Sequence, residues 1–234
     1  MKTVTGLLIM LFPLAGFAQT NVWIKVDAGA ALYLETAKMQ WIPVSEKQEL
    51  PAKSYLMTKP GARAQVFRDT DEYSLPADSY FFIEDVFSKS RVEIVGALTQ
   101  IEAEQLPVNT VEPGNSQQKV VGLTYGKNPS EEKTADEIPF GKARLNAINW
   151  FYENARQDAA LLSLKRMMTK VPNLYLSEYY VERLLHLYHE LQLFGFLLDE
   201  STRLLNVRKS EKFNQIVTNW NQIARQNLLQ QKTK

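Results

Sequence analysis

The hydrophobic pattern changes period near the middle of the chain. From Gln19 to about Gln105, apolar and polar positions alternate in short runs. Asn21–Val26, Ala31–Leu34, Trp41–Val44, Tyr55–Thr58, Ala62–Arg68, Tyr80–Ile83 and Val92–Val95 each read as a strand, because a period of two places alternate side chains on opposite faces of a sheet. Pro43 marks its run as an edge or a bend, since proline supplies no ladder donor. Lys59-Pro60-Gly61 predicts a turn, with Gly61 free to take the positive φ of a tight reversal. Turn residues recur about every 8 to 12 positions, the spacing of a small all-β sandwich, barrel or short solenoid.

From Pro139 onward the period becomes helical. Ala143, Ala147, Ile148, Phe151, Tyr152 and Ala155 fall on one face of a first helix, which Asp136 could cap. A second helix runs from about Asp158 to Lys170, with Leu161, Leu164 and Met168 inward, and Pro172 stops it. A third covers about Leu176 to Gln192. Gly195 is the expected break before a fourth, Phe196 to Asn206. Ser210 caps a fifth, whose stripe is Phe213, Ile216, Val217, Trp220, Ile223, Ala224 and Leu228. This half reads as an antiparallel helical bundle or a repeat array. The whole is therefore of the α+β class, with a β-rich part over 19–126, a linker over 127–138 and an α-helical part over 139–234. The segment Lys119–Tyr125, just ahead of the linker, looks like one more strand.

The first 18 or so residues do not belong to that fold. Lys2 precedes an apolar stretch, Leu7 to Leu14, and Gly16 and Ala18 are the small residues before a cut at Ala18-Gln19. This is the order of a cleaved secretory signal, and the apolar run is shorter than the roughly 20 residues of a membrane span. A periplasmic or secreted protein is expected. The chain has no cysteine, so an exported fold must rely on its hydrophobic core rather than on disulfides. Charge is balanced, with 27 Lys+Arg against 26 Asp+Glu. That balance argues against nucleic-acid and polybasic membrane binding and leaves peripheral association with the envelope.

Candidate chemistry is sparse. His186 and His189 are the two histidines, three apart on the third helix and flanked by Glu182 and Glu190. They are the candidate metal ligands, although a zinc site needs three or four ligands and the order of a zinc-protease helix is missing. No nucleophile elbow or phosphate loop is present, so no catalytic residue and no cofactor are assigned. Asp69, Asp71 and Glu72 read as a solvated hairpin tip. Aromatic residues are the better candidates for binding. Trp41, Tyr73 and Tyr80 fall in the β half, and Tyr179 and Tyr180 are adjacent on the third helix. Neighbouring positions point about 100° apart around a helix axis, so one of that pair is available to a partner.

Two resemblances add to this reading. Trp41-Ile-Pro-Val44, Leu50, Tyr55–Thr58, Pro60–Val66, Tyr73–Pro76, Ser79–Ile83 and Asp85, with Val121–Tyr125 later, resemble the FecR-like domain of bacterial envelope proteins over about residues 22–126. In that family the domain is linked to iron-uptake signalling through a membrane helix, a role that the cleaved signal argues against here. The paired helices, the Pro172-Asn173 stop and the Tyr179, Tyr180 and Ala160 positions resemble a tetratricopeptide-like array. The export signal, the missing catalytic groups and the interface-type aromatics point to an exported, non-enzymatic protein that binds or scaffolds an envelope protein, with a β module and a helical array as its two surfaces. The alternatives are a module for peptidoglycan or another cell-wall polymer and, last, a metal-dependent hydrolase.

Overall fold

A computed structural model describes residues 21–35, 39–104, 140–206 and 210–232. Eight strands come first: β1 Val22–Ala28, β2 Ala31–Glu35, β3 Gln40–Pro43, β4 Lys47–Leu50, β5 Tyr55–Thr58, β6 Arg63–Arg68, β7 Asp71–Leu75 and β8 Ser79–Phe82. They form two four-stranded antiparallel sheets, in the orders β4-β1-β6-β7 and β3-β2-β5-β8. The architecture is thus neither a barrel nor a solenoid. Ile24 and Val66 of the first sheet share one buried core with Leu56 and Phe81 of the second. Pro43 does lie on an edge strand, β3. Gly61 has φ +76° in the Lys59–Ala62 turn, where the Ala62 N–H donates to the Lys59 carbonyl at 3.0 Å.

Six helices follow: α1 Arg91–Ala103, α2 Gly141–Glu153, α3 Gln157–Lys170, α4 Glu178–Glu190, α5 Phe194–Leu205 and α6 Glu211–Lys232. The first overturns one expectation, because Val92–Val95 is helix rather than strand. Ser90 and Glu93 form a reciprocal capping box, which satisfies two of the backbone donors a helix start leaves open. Ile94, Leu98 and Ile101 then enter the core at helical spacing, while Val92 stays 81% exposed. The candidate strand Lys119–Tyr125 and the candidate cap Asp136 lie outside the described residues.

Two helical hairpins share one design. The α2–α3 turn is closed by Ala155 at φ 55°, and the α4–α5 turn by Gln192 at φ 55°. In each, the next amide reaches five residues back, Arg156 N–H to Phe151 O at 2.8 Å and Leu193 N–H to Tyr188 O at 2.8 Å. Both are left-handed C-terminal caps of the kind that glycine usually supplies. The break therefore falls at Gln192 and not at Gly195, which sits inside the first turn of α5. Likewise Ala155 is an exposed cap and not part of the apolar face of α2. Ser210 caps α6 as expected, its hydroxyl accepting from Phe213 N–H at 3.1 Å.

The helices pack around a buried ion pair. Lys165 on α3 is 1% exposed, and its ammonium meets Glu200 of α5 at 2.5 Å and Glu102 of α1 at 3.4 Å. Arg203 closes on the other oxygen of Glu200. Burial alone pushes the Lys165 ammonium down. The surrounding Tyr188 and Tyr175 oxygens and the Glu200 carboxylate outweigh it and hold the group above its ordinary value. The hydroxyls of Tyr175 and Tyr188 are themselves buried without a hydrogen-bond partner.

A second seam joins the sheets to the helices. Arg156 donates to the Val86 carbonyl at 2.9 Å and pairs with Asp158 at 3.2 Å. Asp158 in turn accepts from the Lys89 N–H at 3.0 Å. Phe81 of β8 packs edge-on against Trp150 and Phe151 of α2.

Lys165→Met is expected to destabilise the protein by about 3–5 kcal/mol, because it leaves one oxygen of the buried Glu200 carboxylate unpaired, with only Arg203 on the other. Adding Glu200→Leu should recover most of that loss, since Arg203 is half exposed and can turn to water. Urea denaturation of both variants tests this, and equal loss in the single and double variants would refute it.

Candidate functional site

Helices α2, α4 and α6 together carry a continuous polar and aromatic strip. On α4, Tyr179, Arg183, His186 and Glu190 follow one another at steps of four, three and four, so they line one side of the helix. Arg183 donates to Asn149 Oδ1 of α2 at 2.7 Å and to the Tyr179 hydroxyl at 3.0 Å. Its guanidinium also lies 4.9 Å from the Tyr152 ring centroid. The Tyr152 hydroxyl is 2.8 Å from His186 Nδ1, and His186 Nε2 is 3.6 Å from Glu190. Trp220 of α6 completes the strip, edge-on to His186 at 6.0 Å and tilted against His189 at 5.5 Å. Glu178 ties the starts of α4 and α6 together through Ser210 and Lys212.

This strip separates the two tyrosines chosen from the sequence. Tyr179 is 58% exposed at its edge, whereas Tyr180 is buried behind it with the rings edge-on at 5.1 Å. His186 and His189 flank Trp220. Among the described residues, no group of three or more histidine, cysteine, aspartate or glutamate side chains is placed to hold a metal. Asn149 and Arg183 belong to the strip without any signal in residue type, and Tyr152 and Trp220, expected on the apolar faces of their helices, belong to it as well. The four-three-four spacing along α4 is the signal that could have found the α4 members.

Trp41 and Tyr80 meet elsewhere, on the outer face of the second sheet, with ring centroids 6.0 Å apart. Strand register brings Trp41, Leu34, Tyr55 and Phe82 into one row across the four strands. Phe140 stacks on Tyr80 at 5.5 Å, and the Arg144 guanidinium lies 4.1 Å from the Tyr80 centroid. Tyr80 is therefore 7% exposed and offers no open ring for a sugar to stack on. Burial pushes its hydroxyl up to about 12. Tyr73 stands apart from both groups, on β7, against Phe87 and beneath Arg156. The five aromatic candidates thus occupy three places, and the structure joins Trp41 to Tyr80 and Tyr179 to Tyr180.

Beside the aromatic face, Arg166 Nε bonds Asp85 Oδ2 at 3.1 Å and its guanidinium lies over Phe82 at 4.2 Å. Asp85 is 1% exposed, and its Oδ1 has no hydrogen-bond partner. Burial pushes the Asp85 carboxyl up against the opposing pull of Arg166, as expected for a carboxylate that leaves one oxygen unsolvated.

Comparisons with protein-family models, curated proteins and solved structures find no match. Among the described residues, no helix is long and apolar enough to cross a membrane.

The raised Asp85 carboxyl carries a signed prediction. A carboxyl that protonates more readily in the folded state makes folding take up a proton, so its contribution to stability grows as pH falls through the folded value. Between neutral pH and about pH 4, the wild type should gain stability relative to Asp85→Asn. Urea midpoints at successive pH values test this. A gap that moves the other way would show that the Arg166 pair dominates.

Proposed function

We propose that this protein is an exported, non-enzymatic envelope protein that holds a segment of another protein against the strip on α2, α4 and α6. The observation that carries the reading is the Asn149–Arg183–Tyr152–His186–Trp220 chain. It fixes hydrogen-bonding groups and aromatic edges across three helices while leaving Tyr179 and Glu190 open to solvent. Tyrosine, tryptophan and arginine are the residues that dominate protein–protein recognition.

The shared hairpin design supports a tetratricopeptide-like reading of the helical part. Gly141 and Glu178 open the two hairpins 37 positions apart, close to the roughly 34 of a tetratricopeptide unit. Stacked hairpins of this kind build extended concave binding surfaces. On this reading α2 and α4 are the first helices of successive units, and α6 covers the end of the stack. On the same reading the antiparallel sandwich is the FecR-like domain; among the described residues no helix is long and apolar enough to cross a membrane.

A photoreactive benzoylphenylalanine at position 179 should give a light-dependent adduct with a discrete envelope protein. The adduct should disappear when Arg183→Ala and Asn149→Ala are added. The same group at Val92, exposed on α1, a helix that carries none of the strip's residues, is the control. No adduct at 179, or an equal one at 92, would sink the reading. Export is tested separately by N-terminal sequencing of the protein recovered from outside the cytoplasm, which should begin at Gln19. Full-length protein retained in the cytoplasm would contradict it.

A further inference from the structure

A small cleft lies between the second sheet and helices α2 and α3, away from the strip. Its polar lining is Tyr55, Tyr80, Arg144, Ser163 and Arg166, with the Phe82 ring as one wall. All of these polar groups are able to donate, and the lining contains no carboxylate. Arg144 has no ion-pair partner among the described residues, and its contact is the Tyr80 ring. Arg166 commits its Nε to Asp85, which leaves its terminal nitrogens for another acceptor. The cleft is thus lined by two guanidinium groups, of which Arg166 alone is tied to a carboxylate, through its Nε.

We propose that this cleft binds the oxyanion head group, carboxylate or phosphate, of a ligand with an apolar body. Paired guanidinium donors favour planar or tetrahedral oxyanions over other acceptors. The rings behind them, Tyr80 under Arg144 and Phe82 under Arg166, hold the guanidinium planes in place. The free volume of about 10 Å³ admits roughly one oxygen-sized group. One oxygen of the head group enters, and the remainder stays at the mouth. The adjoining surface is apolar: Phe140 is 44% exposed there, and Trp41 packs edge-on to it at 5.7 Å. A bare sugar does not fit this arrangement, because both faces of Tyr80 are covered. The inference is independent of the partner strip, since it uses none of the same residues.

Titration calorimetry on the whole mature chain tests the proposal with four probes: octanoate, octanol, acetate and inorganic phosphate. Saturable binding of octanoate, weaker binding of acetate and no binding of octanol are expected. Arg144→Gln should weaken octanoate at least about ten-fold. Ser163→Val, which removes a donor without touching an ion pair, should weaken it less, and both variants should melt within a few degrees of the wild type. Phosphate binding as tight as octanoate would assign the site to a free oxyanion and overturn the apolar-body part. Octanol binding as well as octanoate, or an Arg144→Gln variant that binds normally, would overturn the proposal. So would heats no larger than dilution for all four probes. Arg183→Ala should leave octanoate binding unchanged, which separates failure here from failure of the partner strip.

Discussion

A buried ammonium sets the geometry of the helical part. Lys165 is fixed between carboxylates from α1 and α5, so three helices that share no direct sequence neighbourhood must meet at one point. Taking a charge out of water costs several kcal/mol, and only a close counter-charge offsets it. An apolar core tolerates small sliding of its helices, but a buried pair does not, because a shift of an ångström or two would strand one charge. Tyr175 and Tyr188 surround the pair and exclude water, at the cost of leaving their own hydroxyls unpaired. The cluster thereby trades stability for a defined arrangement.

The same logic acts at the junction of sheets and helices. Two arginine–aspartate pairs, Arg156 with Asp158 and Arg166 with Asp85, bridge the end of the sandwich to α3. The backbone of Lys89 and Val86 is held by these side chains, so the short connection after β8 has a single path into α1. The buried hydrophobic residues of both halves belong to one continuous cluster. Positions on the outer face of the second sheet are in this way held against α2 and α3, and that is what gathers Arg144, Arg166 and the aromatic rings around one cleft.

Much of this order was legible in the sequence, and the misses have specific causes. Among the described residues, six of the seven strand candidates are strands, because their alternation survives in short windows. Val92–Val95 failed since four residues cannot distinguish a period of two from one of 3.6; Leu98 and Ile101 carry the helical signal beyond that window. Strands β4 and β7 were missed because Lys47–Leu50 and Asp71–Leu75 are edge strands with polar faces. The α4–α5 break was placed at Gly195, the residue best suited to a left-handed cap, whereas the chain uses Gln192. Lys165 reads as a surface residue by type, yet it continues the stripe of Leu161, Leu164 and Met168. Aromatic type alone points to Tyr179 and Trp41 as candidates, while their polar neighbours Arg183, Asn149 and Arg144 need three-dimensional contacts to be seen.

The strand edges of the two sheets also bear on how the chain meets other chains. Open edges invite pairing between molecules and hence aggregation. In the second sheet, α2 runs beside β8, and Pro43 removes a donor from β3. In the first sheet, one edge strand carries Lys47 and Glu49 and the other Asp71 and Glu72. Among the described residues all four boundaries are thereby covered, interrupted or charged, so none offers a flat apolar edge to another chain.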